Sequence, residues 1–360
     1  MSRYAQTFFK PHGLGDARPT ALQIVQDEGL VGKLTDKVFL VMGVSSGIGI
    51  ETMRALYATG GHVFGTVRNM EKGKKVIDEI KANTKRGKLT LIEMELDSMV
   101  SIKKGAEAFL AQSKTLNILI NNAGFVDLFS LHTPDESALL TLFHSVMATP
   151  EGQTKDGFET QFGTDHLGHF YLFQLLKPTL LASSTPVFPS RVVSASSIGH
   201  RQSRIRPDDH HFHQVGSYNP WLAYGQAKTA NILFANEVER RYGARGLHTT
   251  SLHPGGIMTG LQAHVDPAQK AAWDSPVVRN YMKDAAQGAA TSVYAALSAE
   301  WAGKGGRYWI NCVEQTAFAE DDGEDFYLGD DGYQTWAYDE EMERRLWKYS
   351  LRLVGLSDDQ

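Results

Sequence analysis

The sequence has little cysteine, no long apolar run and no excess of positive charge, and each absence excludes a class of protein. Cys312 is the only cysteine among 360 residues, so no disulfide forms within the chain, which suits a reducing compartment. No apolar stretch approaches the roughly 20 residues of a membrane span, and the first residues lack a signal-peptide core. With 36 basic and 41 acidic side chains and no basic run, nucleic acid is not an expected partner. We expect a cytoplasmic protein, with peripheral contact to a membrane left open.

Short apolar runs alternate with helical periodicity through most of the chain. The predicted strands are 37–42, 62–67, 89–94, 116–120, 190–195, 247–252 and 306–310, and the predicted helices are 48–59, 70–82, 98–112, 155–183, 222–242 and 284–298. This alternation predicts an α/β fold, a single Rossmann-type doubly wound domain with a central parallel β-sheet flanked by helices on both faces. We expect the domain over 37–312, an N-terminal extension over 1–36, and an acidic loop and helix over 313–360.

The segment 125–145 is an unusual insert, rich in Leu and Phe where a surface loop is expected. Loops longer than about 12–15 residues need an explanation. One hypothesis is a functional insert, such as a substrate-covering helix or an interaction patch. The other is a translated intron, since the segment corresponds to a whole number of codons.

A glycine-rich turn follows the first predicted strand and opens the first helix of the domain. Its predicted cofactor-binding residues are Gly43, Ser45, Ser46, Gly47, Ile48 and Gly49. Glycines let the backbone turn tightly and let a pyrophosphate approach the helix N-terminus. The strand–turn–helix context therefore predicts a dinucleotide site.

The end of the second strand indicates which dinucleotide is bound. NAD-binding sites usually place an acidic residue there for the ribose 2′-OH. Here the residues are Thr66-Val67-Arg68-Asn69, with no acid. Because a guanidinium matches a 2′-phosphate in charge and geometry, Arg68 predicts NADP(H). An unpartnered surface role for Arg68 is the alternative.

Four further motifs accompany this turn: Asn121-Asn122-Ala123-Gly124, Ser196-Ser197, Tyr224-Gly-Gln-Ala-Lys228 and Pro254-Gly255-Gly256. Over about 36–312 the chain resembles the classical short-chain dehydrogenase/reductases. Within that family its sequence is most like retinol-dehydrogenase-like and fungal members. The resemblance implies a catalytic Tyr224, a Lys228 that lowers the tyrosine pKa, and a Ser197 that binds the substrate oxygen. It implies cofactor contacts for Asp97, Asn122, Ala123, Gly124, Tyr224, Lys228, Pro254, Gly255 and Thr259.

Elementary chemistry agrees with the roles of Tyr224 and Lys228. A free tyrosine has a pKa near 10, too high for acid–base work near neutrality. A lysine four residues along lies on the same helix face, and its charge favours tyrosinate. A serine hydroxyl can orient and polarise a carbonyl, while the hydride chemistry belongs to the cofactor.

Two residues depart from the family pattern. Met42 stands where the turn usually opens with Thr, which removes a local hydrogen bond without abolishing binding. Asp165 stands where the family has the Asn of the catalytic tetrad, so we count it as a catalytic position. A negative charge at about 8 Å is worth about 2 kcal/mol, or about 1.5 pKa units, at an effective dielectric of about 20. We expect slowed or alkaline-shifted turnover; a silent substitution is the alternative.

The segment between Ser197 and Tyr224 is rich in histidine, but no cysteine lies nearby and no metal site is expected. Phe212, Tyr218 and Trp221 either line an apolar pocket or pack ordinarily. The resemblance makes 257–283 a mobile lid over the substrate.

These patterns together predict an NADP(H)-dependent oxidoreductase that interconverts a ketone or aldehyde and an alcohol. The substrate is expected to be a lipophilic small molecule of secondary metabolism, and the resemblance implies a homodimer or homotetramer paired through 155–183 and 222–242. One rival is a non-redox catalyst on the same scaffold, an isomerase or cyclase, suggested by Asp165. The other is an NADP(H)-sensing interaction protein, suggested by the apolar insert.

Overall fold

A computed structural model describes residues 2–83, 86–123, 147–257, 265–318 and 332–358. Its strands are β1 Val38–Val41, β2 His62–Val67, β3 Lys88–Glu93, β4 Ile118–Asn121, β5 Ser190–Ala195, β6 Leu247–His253, β7 Tyr308–Ile310 and β8 Val313–Glu314. They form one sheet in the order β3-β2-β1-β4-β5-β6-β7-β8. All neighbours are parallel except β7 and β8. The predicted α/β fold with a central parallel sheet is confirmed.

Helices connect the parallel strands and cover both faces of the sheet. They are α1 Ala21–Asp27, α2 Gly47–Ala58, α3 Met70–Asn83, α4 Met99–Gln112, α5 Thr160–Phe162, α6 Gly168–Ser183, α7 Pro220–Tyr242, α8 Pro267–Trp273, α9 Pro276–Tyr281, α10 Ala285–Gly288, α11 Ala290–Leu297 and α12 Glu340–Leu353. None of the described helices is long and apolar enough to cross a bilayer.

The core has two layers because successive residues of a strand point to opposite faces. Phe39 and Val41 of β1 pack into a cluster with α2 and α11. Leu40 and Met42 pack into a second cluster, with α4 and α6. A sheet buried on both faces explains why its strands are continuous apolar runs instead of alternating ones.

The predicted helix 155–183 is wrong at its N-terminal end. Gly157 adopts φ +83°, a left-handed conformation that ends any helix, so residues 154–158 form a turn. Glu159 then caps the chain by accepting hydrogen bonds from the backbone N–H groups of Gln161 and Phe162. A π-helical turn over Gly163–Leu167 interrupts the path between α5 and α6.

The sheet order brings the loops after β1, β4, β5 and β6 to one edge, because these four strands are neighbours. In a doubly wound sheet the ligand crevice lies at the carboxyl ends of the strands, where the order reverses. The sequence motifs at 43–49, 121–124, 196–197 and 254–256 all follow these strands. The fold therefore gathers them at one edge.

Candidate functional site

The turn between β1 and α2 packs its glycines tightly. Gly43 adopts φ +75°, and a Cβ on Gly49 would lie 2.0 Å from the Gly43 carbonyl oxygen. A side chain at 49 is therefore excluded. α2 begins at Gly47, and its first turn contains no acidic residue. The positive end of the α2 dipole thus faces the glycine turn, and no carboxylate in the first turn of α2 offsets its charge. Such a position favours an anionic ligand.

The serines of this turn present polar atoms beside the glycines. Ser46 is exposed and is the N-terminal flanking residue of α2, where its side chain makes no capping hydrogen bond within the described chain. Ser45 is half-buried. Ile48 packs against the core beside Gly288 and anchors the helix.

Thr66 of β2 holds the start of the glycine turn, which follows Met42. The backbone N–H of Gly43 donates to the Thr66 hydroxyl oxygen at 3.0 Å. Met42 is fully buried, and its carbonyl oxygen accepts from the Asn122 side-chain amide at 3.3 Å. The turn is thus fixed from β2 and β4 instead of from its own first residue.

Two cations lie at the end of β2. Arg68 is half-buried, and Lys72 lies one helical turn further along in α3. Burial lowers the pKa of Lys72, and the neighbouring Arg68 charge lowers it further. Two positive charges at one position attract an anionic group.

Asp97 lies beyond β3 in an acidic pair that shares one lysine. Lys155 contacts both Glu95 and Asp97, and its Nζ lies 3.5 Å from the Asp97 carboxylate. Burial raises the pKa of Asp97, and the Lys155 charge opposes this rise. Lys155 was not a predicted site residue, because its contact to Asp97 depends on the turn at 154–158.

The residues after β4 close the floor under the glycine turn. A Cβ on Gly43 would lie 2.8 Å from the Cβ of Ala123, so these two backbones approach closely. Asn122 ties the same floor to β1 through the Met42 carbonyl. Gly124 and Thr259, and the insert 125–145, lie outside the described residues.

Ser197, Tyr224 and Lys228 meet at the carboxyl end of β5. Tyr224 and Lys228 lie one turn apart in α7, and the Lys228 Nζ is 5.2 Å from the centre of the tyrosine ring. Gly199 lies closely between Tyr224 and Ser197, since a Cβ on Gly199 would lie 2.6 Å from the tyrosine ring and 3.4 Å from the Ser197 Oγ. The Ser197 Oγ accepts from the Gly199 backbone N–H at 3.0 Å, which fixes the serine rotamer.

Asp165 forms an ion pair with Lys228. The π-helical turn carries its fully buried carboxylate to 2.9 Å from the Lys228 Nζ. Burial lowers the pKa of Lys228, but the attraction of Asp165 more than offsets this, and the lysine pKa lies above its ordinary value. Lys228 therefore stays charged near neutrality and is paired with the Asp165 carboxylate.

Tyr224 feels both members of this pair. Burial raises its pKa, the Lys228 charge and the Ser197 hydrogen bond lower it, and the Asp165 charge raises it again. The balance leaves the tyrosine pKa above its ordinary value of 10.0. The ion pair places Asp165 where its charge opposes the effect of Lys228 on the Tyr224 pKa, as the sequence led us to expect.

Several buried polar atoms near the motifs have no hydrogen-bond partner within the described chain. They include the Asp165 Oδ1, the His169 Nε2 and both side-chain polar atoms of Asn121. The other ring nitrogen of His169 contacts the Asp165 carbonyl oxygen at 3.1 Å, and burial lowers the histidine pKa to about 4, so the ring is neutral. Buried groups of this kind are normally satisfied by water or ligand.

The turn after β6 rests on a buried lysine that the sequence reasoning missed. Gly255 adopts φ +106°, beyond Pro254. Lys283 is 2% exposed, and its Nζ donates to the Pro254 carbonyl oxygen at 3.0 Å and to the Asn311 side-chain oxygen at 2.7 Å. No local motif marks Lys283, since its partners lie far from it along the chain.

Apolar side chains surround the Tyr224 ring. Tyr224 clusters with buried Met147 and Val265 and with half-buried Trp221 and Trp273. Trp221 meets Tyr224 edge to face at 6.0 Å between ring centres, and it meets Trp273 in the same way at 6.3 Å. Of the three aromatic residues predicted for this side, only Trp221 lies against the tyrosine.

The other two predicted aromatic residues pack ordinarily. Phe212 stacks edge to face on Tyr218, and the Tyr218 hydroxyl donates to the Thr149 carbonyl oxygen at 2.9 Å. Among the described residues no group of three His, Cys, Asp or Glu side chains is placed to hold a metal ion.

The arrangement fits a dinucleotide on three observations. The glycine turn offers a helix N-terminus without an acid, Arg68 and Lys72 offer positive charge beside it, and the Tyr224 hydroxyl lies at the other end of the same sheet edge. The first two suit phosphates, and the third suits a proton transfer.

Comparison with known proteins gives the same family throughout. Residues 37–203 match the family model for short chain dehydrogenases. The short-chain dehydrogenase/reductase prx1 of Penicillium roqueforti is 46% identical over 357 residues, which cover 99% of this chain and 96% of that protein. Human retinol dehydrogenase 11 is 34% identical over 91% of this chain and 88% of its own length.

A solved structure also resembles this chain over nearly its whole length. An uncharacterised protein of Mycobacterium Paratuberculosis has a TM-score of 0.62 and 28% identity, and the match covers 97% of this chain and 100% of that chain.

Proposed function

Since the chain belongs to the short-chain dehydrogenase/reductase family as a retinol-dehydrogenase-like member, we propose that it is an NADP(H)-dependent oxidoreductase of the CH-OH/C=O type. It interconverts a ketone or aldehyde and an alcohol on a lipophilic small molecule. The observation that carries the proposal is the position of Tyr224, which lies beside Ser197 across Gly199 and has the charged Lys228 Nζ 5.2 Å from its ring centre. A buried tyrosine in this setting is suited to exchange a proton with a substrate oxygen.

The preference for NADP(H) is supported by the charge at the end of β2. Arg68 and Lys72 are close enough to depress the lysine pKa, and residues 66–69 contain no acid. A 2′-phosphate would be attracted to both positive charges, whereas a 2′-OH carries no charge to pair with them.

In the proposed mechanism the nicotinamide supplies or accepts the hydride when it is bound. Tyr224 gives a proton to the substrate oxygen in reduction and takes it back in oxidation. Ser197 donates a hydrogen bond to the same oxygen and orients it. Lys228 stabilises the tyrosinate that remains after proton transfer.

Burial, with a smaller contribution from the Asp165 carboxylate, sets the pH range of this proton transfer. Because both raise the Tyr224 pKa, the tyrosine is protonated at neutral pH, and tyrosinate forms only under alkaline conditions. The protonated form that reduction requires therefore predominates near neutrality. Oxidation of an alcohol is expected to accelerate as the pH rises through the tyrosine pKa.

A lipophilic substrate is supported by the side chains around Tyr224. Met147, Val265, Trp221 and Trp273 form an apolar and aromatic surface beside the hydroxyl. Apolar walls with a few convergent polar groups are typical of small-molecule sites. A relative is named for retinol, which agrees with an apolar alcohol or carbonyl compound as the substrate class.

We extend the proposal to the setting of the reaction. A single buried cysteine agrees with a cytoplasmic location. A role in secondary metabolism stays a prediction, because the relatives from Penicillium are named only as a short-chain dehydrogenase/reductase and an oxidoreductase. Assembly as a homodimer or homotetramer stays a prediction.

The test is carbonyl-dependent oxidation of NADPH, and alcohol-dependent reduction of NADP⁺, across pH. The unmodified protein is compared with Tyr224→Phe and Asp165→Asn on a panel of ketones, aldehydes and quinones. Tyr171→Phe, a half-buried tyrosine of α6, and Asp274→Asn, an exposed ion-paired carboxylate, are the matched controls.

We expect Tyr224→Phe to abolish turnover and Asp165→Asn to move the rising limb of the oxidation profile down by about 1–1.5 pH units. Both controls should match the unmodified protein. Turnover that survives Tyr224→Phe would refute the catalytic assignment. Turnover by Asp165→Asn alone would favour the non-redox catalyst, because the site would then be intact but withdrawn from redox chemistry by the Asp165–Lys228 pair.

A further inference from the structure

Lys283 supports both ends of the Pro254–Gly255 turn. Its Nζ donates to the Pro254 carbonyl oxygen, and its backbone N–H donates to the Gly256 carbonyl oxygen at 2.8 Å. A Cβ on Gly255 would lie 2.6 Å from the Lys283 Nζ, so the lysine side chain fills the space beside the turn. The backbone of this turn therefore cannot move without moving Lys283.

The chain just before Lys283 is held by Arg18 from the N-terminal segment. Arg18 is 4% exposed, and its guanidinium donates to the carbonyl oxygens of Tyr281 at 2.8 Å and of Met282 at 2.6 Å. The same group donates to the Gly13 carbonyl oxygen at 2.8 Å and to Asp16 at 2.7 Å. One buried side chain thus joins the N-terminal segment to the end of α9.

Backbone and amide contacts extend this attachment to both sides of Lys283. On one side, the Gly13 N–H donates to the Asn280 carbonyl oxygen at 2.9 Å. On the other side, Gln287 of α10 accepts from the Gly15 N–H at 3.1 Å and donates to the Asp16 carboxylate at 3.0 Å. Residues 13–18 therefore hold the chain both before and after the lysine.

We propose that residues 13–18, through Arg18, are a clasp that positions Lys283 and with it the Pro254–Gly255 turn at the nicotinamide end of the cofactor site. The inference rests on the proposed function, since it assumes a bound dinucleotide. Arg18 and Lys283 are positioning residues that act through the turn. Loss of Arg18 leaves three carbonyl groups, two of them at the end of α9, without their buried donor, so the end of α9 and the turn above it loosen.

A clasp that positions the turn would affect the binding of two ligands differently, whereas a purely structural role would affect both in the same way. On the proposed function, the turn after β6 would hold the nicotinamide end of the cofactor, whereas the turn after β1 would hold the adenosine phosphates. A loosened Pro254–Gly255 turn weakens binding of the whole dinucleotide but leaves binding of its adenosine half unchanged. A general loss of stability would weaken both ligands alike.

The experiment measures dissociation constants of NADPH and of adenosine 2′,5′-bisphosphate by titration calorimetry. It uses the full-length protein, Arg18→Gln and Lys283→Met, with Arg279→Gln as the matched control. Arg279 also lies on α9 but is 63% exposed and pairs with Asp274 at the surface. Lys283→Met leaves the N-terminal contacts in place, so it keeps the test available if Arg18→Gln does not fold.

We expect Arg18→Gln and Lys283→Met to raise the dissociation constant of NADPH at least about tenfold, with no change for the bisphosphate and none for Arg279→Gln. Unchanged NADPH binding in folded Lys283→Met would overturn the inference alone. Equal weakening of both ligands would also overturn it. Failure of the unmodified protein to bind either ligand would overturn the proposed function instead.

Discussion

The charged side chains at the end of β2 are the residues on which the proposed cofactor preference depends. We expect Arg68→Gln to raise the dissociation constant of NADPH about 10- to 100-fold, because a charge-assisted contact to a phosphate contributes about 1.5–3 kcal/mol. Binding of NADH, which lacks the 2′-phosphate, should change little. Fluorescence titration with both dinucleotides measures the two constants.

The control for this substitution is Arg344→Gln, an exposed arginine of α12 that pairs with Glu340. It removes the same charge far from the crevice and should leave both constants unchanged. If Arg68→Gln weakened NADPH and NADH equally, Arg68 would support the fold of the site and would not select the cofactor.

At residue scale the sequence identified the groups that lie within motifs and missed those that act across the fold. Ser197, Tyr224 and Lys228 follow from spacing and neighbouring motifs, and the structure brings them together. Thr66 and Lys283 carry no motif, since each supports a turn from a different strand or helix. Such contacts depend on tertiary packing, which spacing along one chain does not encode.

At the scale of elements, the start of α5 contains a carboxyl group that makes stability depend on pH. Burial raises the pKa of Glu159 to about 7 against two backbone hydrogen bonds that lower it. A raised pKa means that the folded protein holds this proton after the unfolded chain has released it near pH 4.5. The contribution to stability is full below about pH 4.5 and is lost as the pH rises to about 7.

Glu159→Gln should remove this pH dependence. A shift from 4.5 to about 7 corresponds to a change of about 3 kcal/mol in unfolding free energy across that window. Urea unfolding at pH 5 and pH 7.5 gives the difference for the unmodified protein and the variant. Glu151→Gln, an exposed neighbour, is the control. An equal pH dependence in Glu159→Gln and the unmodified protein would contradict the assignment.

The helical pattern before α5 also shows where periodicity fails. Residues 155–158 precede an apolar face and were assigned to the helix, yet Gly157 turns the chain and Glu159 begins the helix. The π-helical turn over Gly163–Leu167 was not predicted either. It brings Asp165 to Lys228, and one added residue in a helical turn leaves no mark in hydrophobic spacing.

At the scale of the whole molecule, the parallel sheet followed from the alternation of strands and helices, but the packing of the two ends did not. α1 packs Ile24 and Val25 into the core cluster shared with α2 and α11. Trp347 of α12 is 2% exposed among the aromatic rings of α6 and α7. The sequence pattern of an amphipathic terminal segment shows that one of its faces is buried. It does not show which surface of the domain that face packs against.

The position of α12 bears on how copies of the chain associate. In α7, every residue from Ala223 to Val238 is buried within one chain. On its outer side, α12 contributes Trp347 against Phe234, and Glu343 accepts from Asn236 at 2.9 Å. Pairing through 155–183 and 222–242, which the resemblance implied, would have to displace α12.

Removal of residues 339–360 should therefore change the assembly of the protein. In the full-length protein Phe170 and Phe234 contact Trp347, so the deletion exposes both rings. Exposed apolar patches of this kind drive self-association. We expect the truncated protein to have a higher molar mass than the full-length protein in size-exclusion chromatography with light scattering. Arg344→Gln, on the exposed side of α12, should leave the mass unchanged. A truncated protein that stays folded and keeps the molar mass of the full-length protein would contradict this prediction. It would show that α12 does not shield an association surface on α6 and α7.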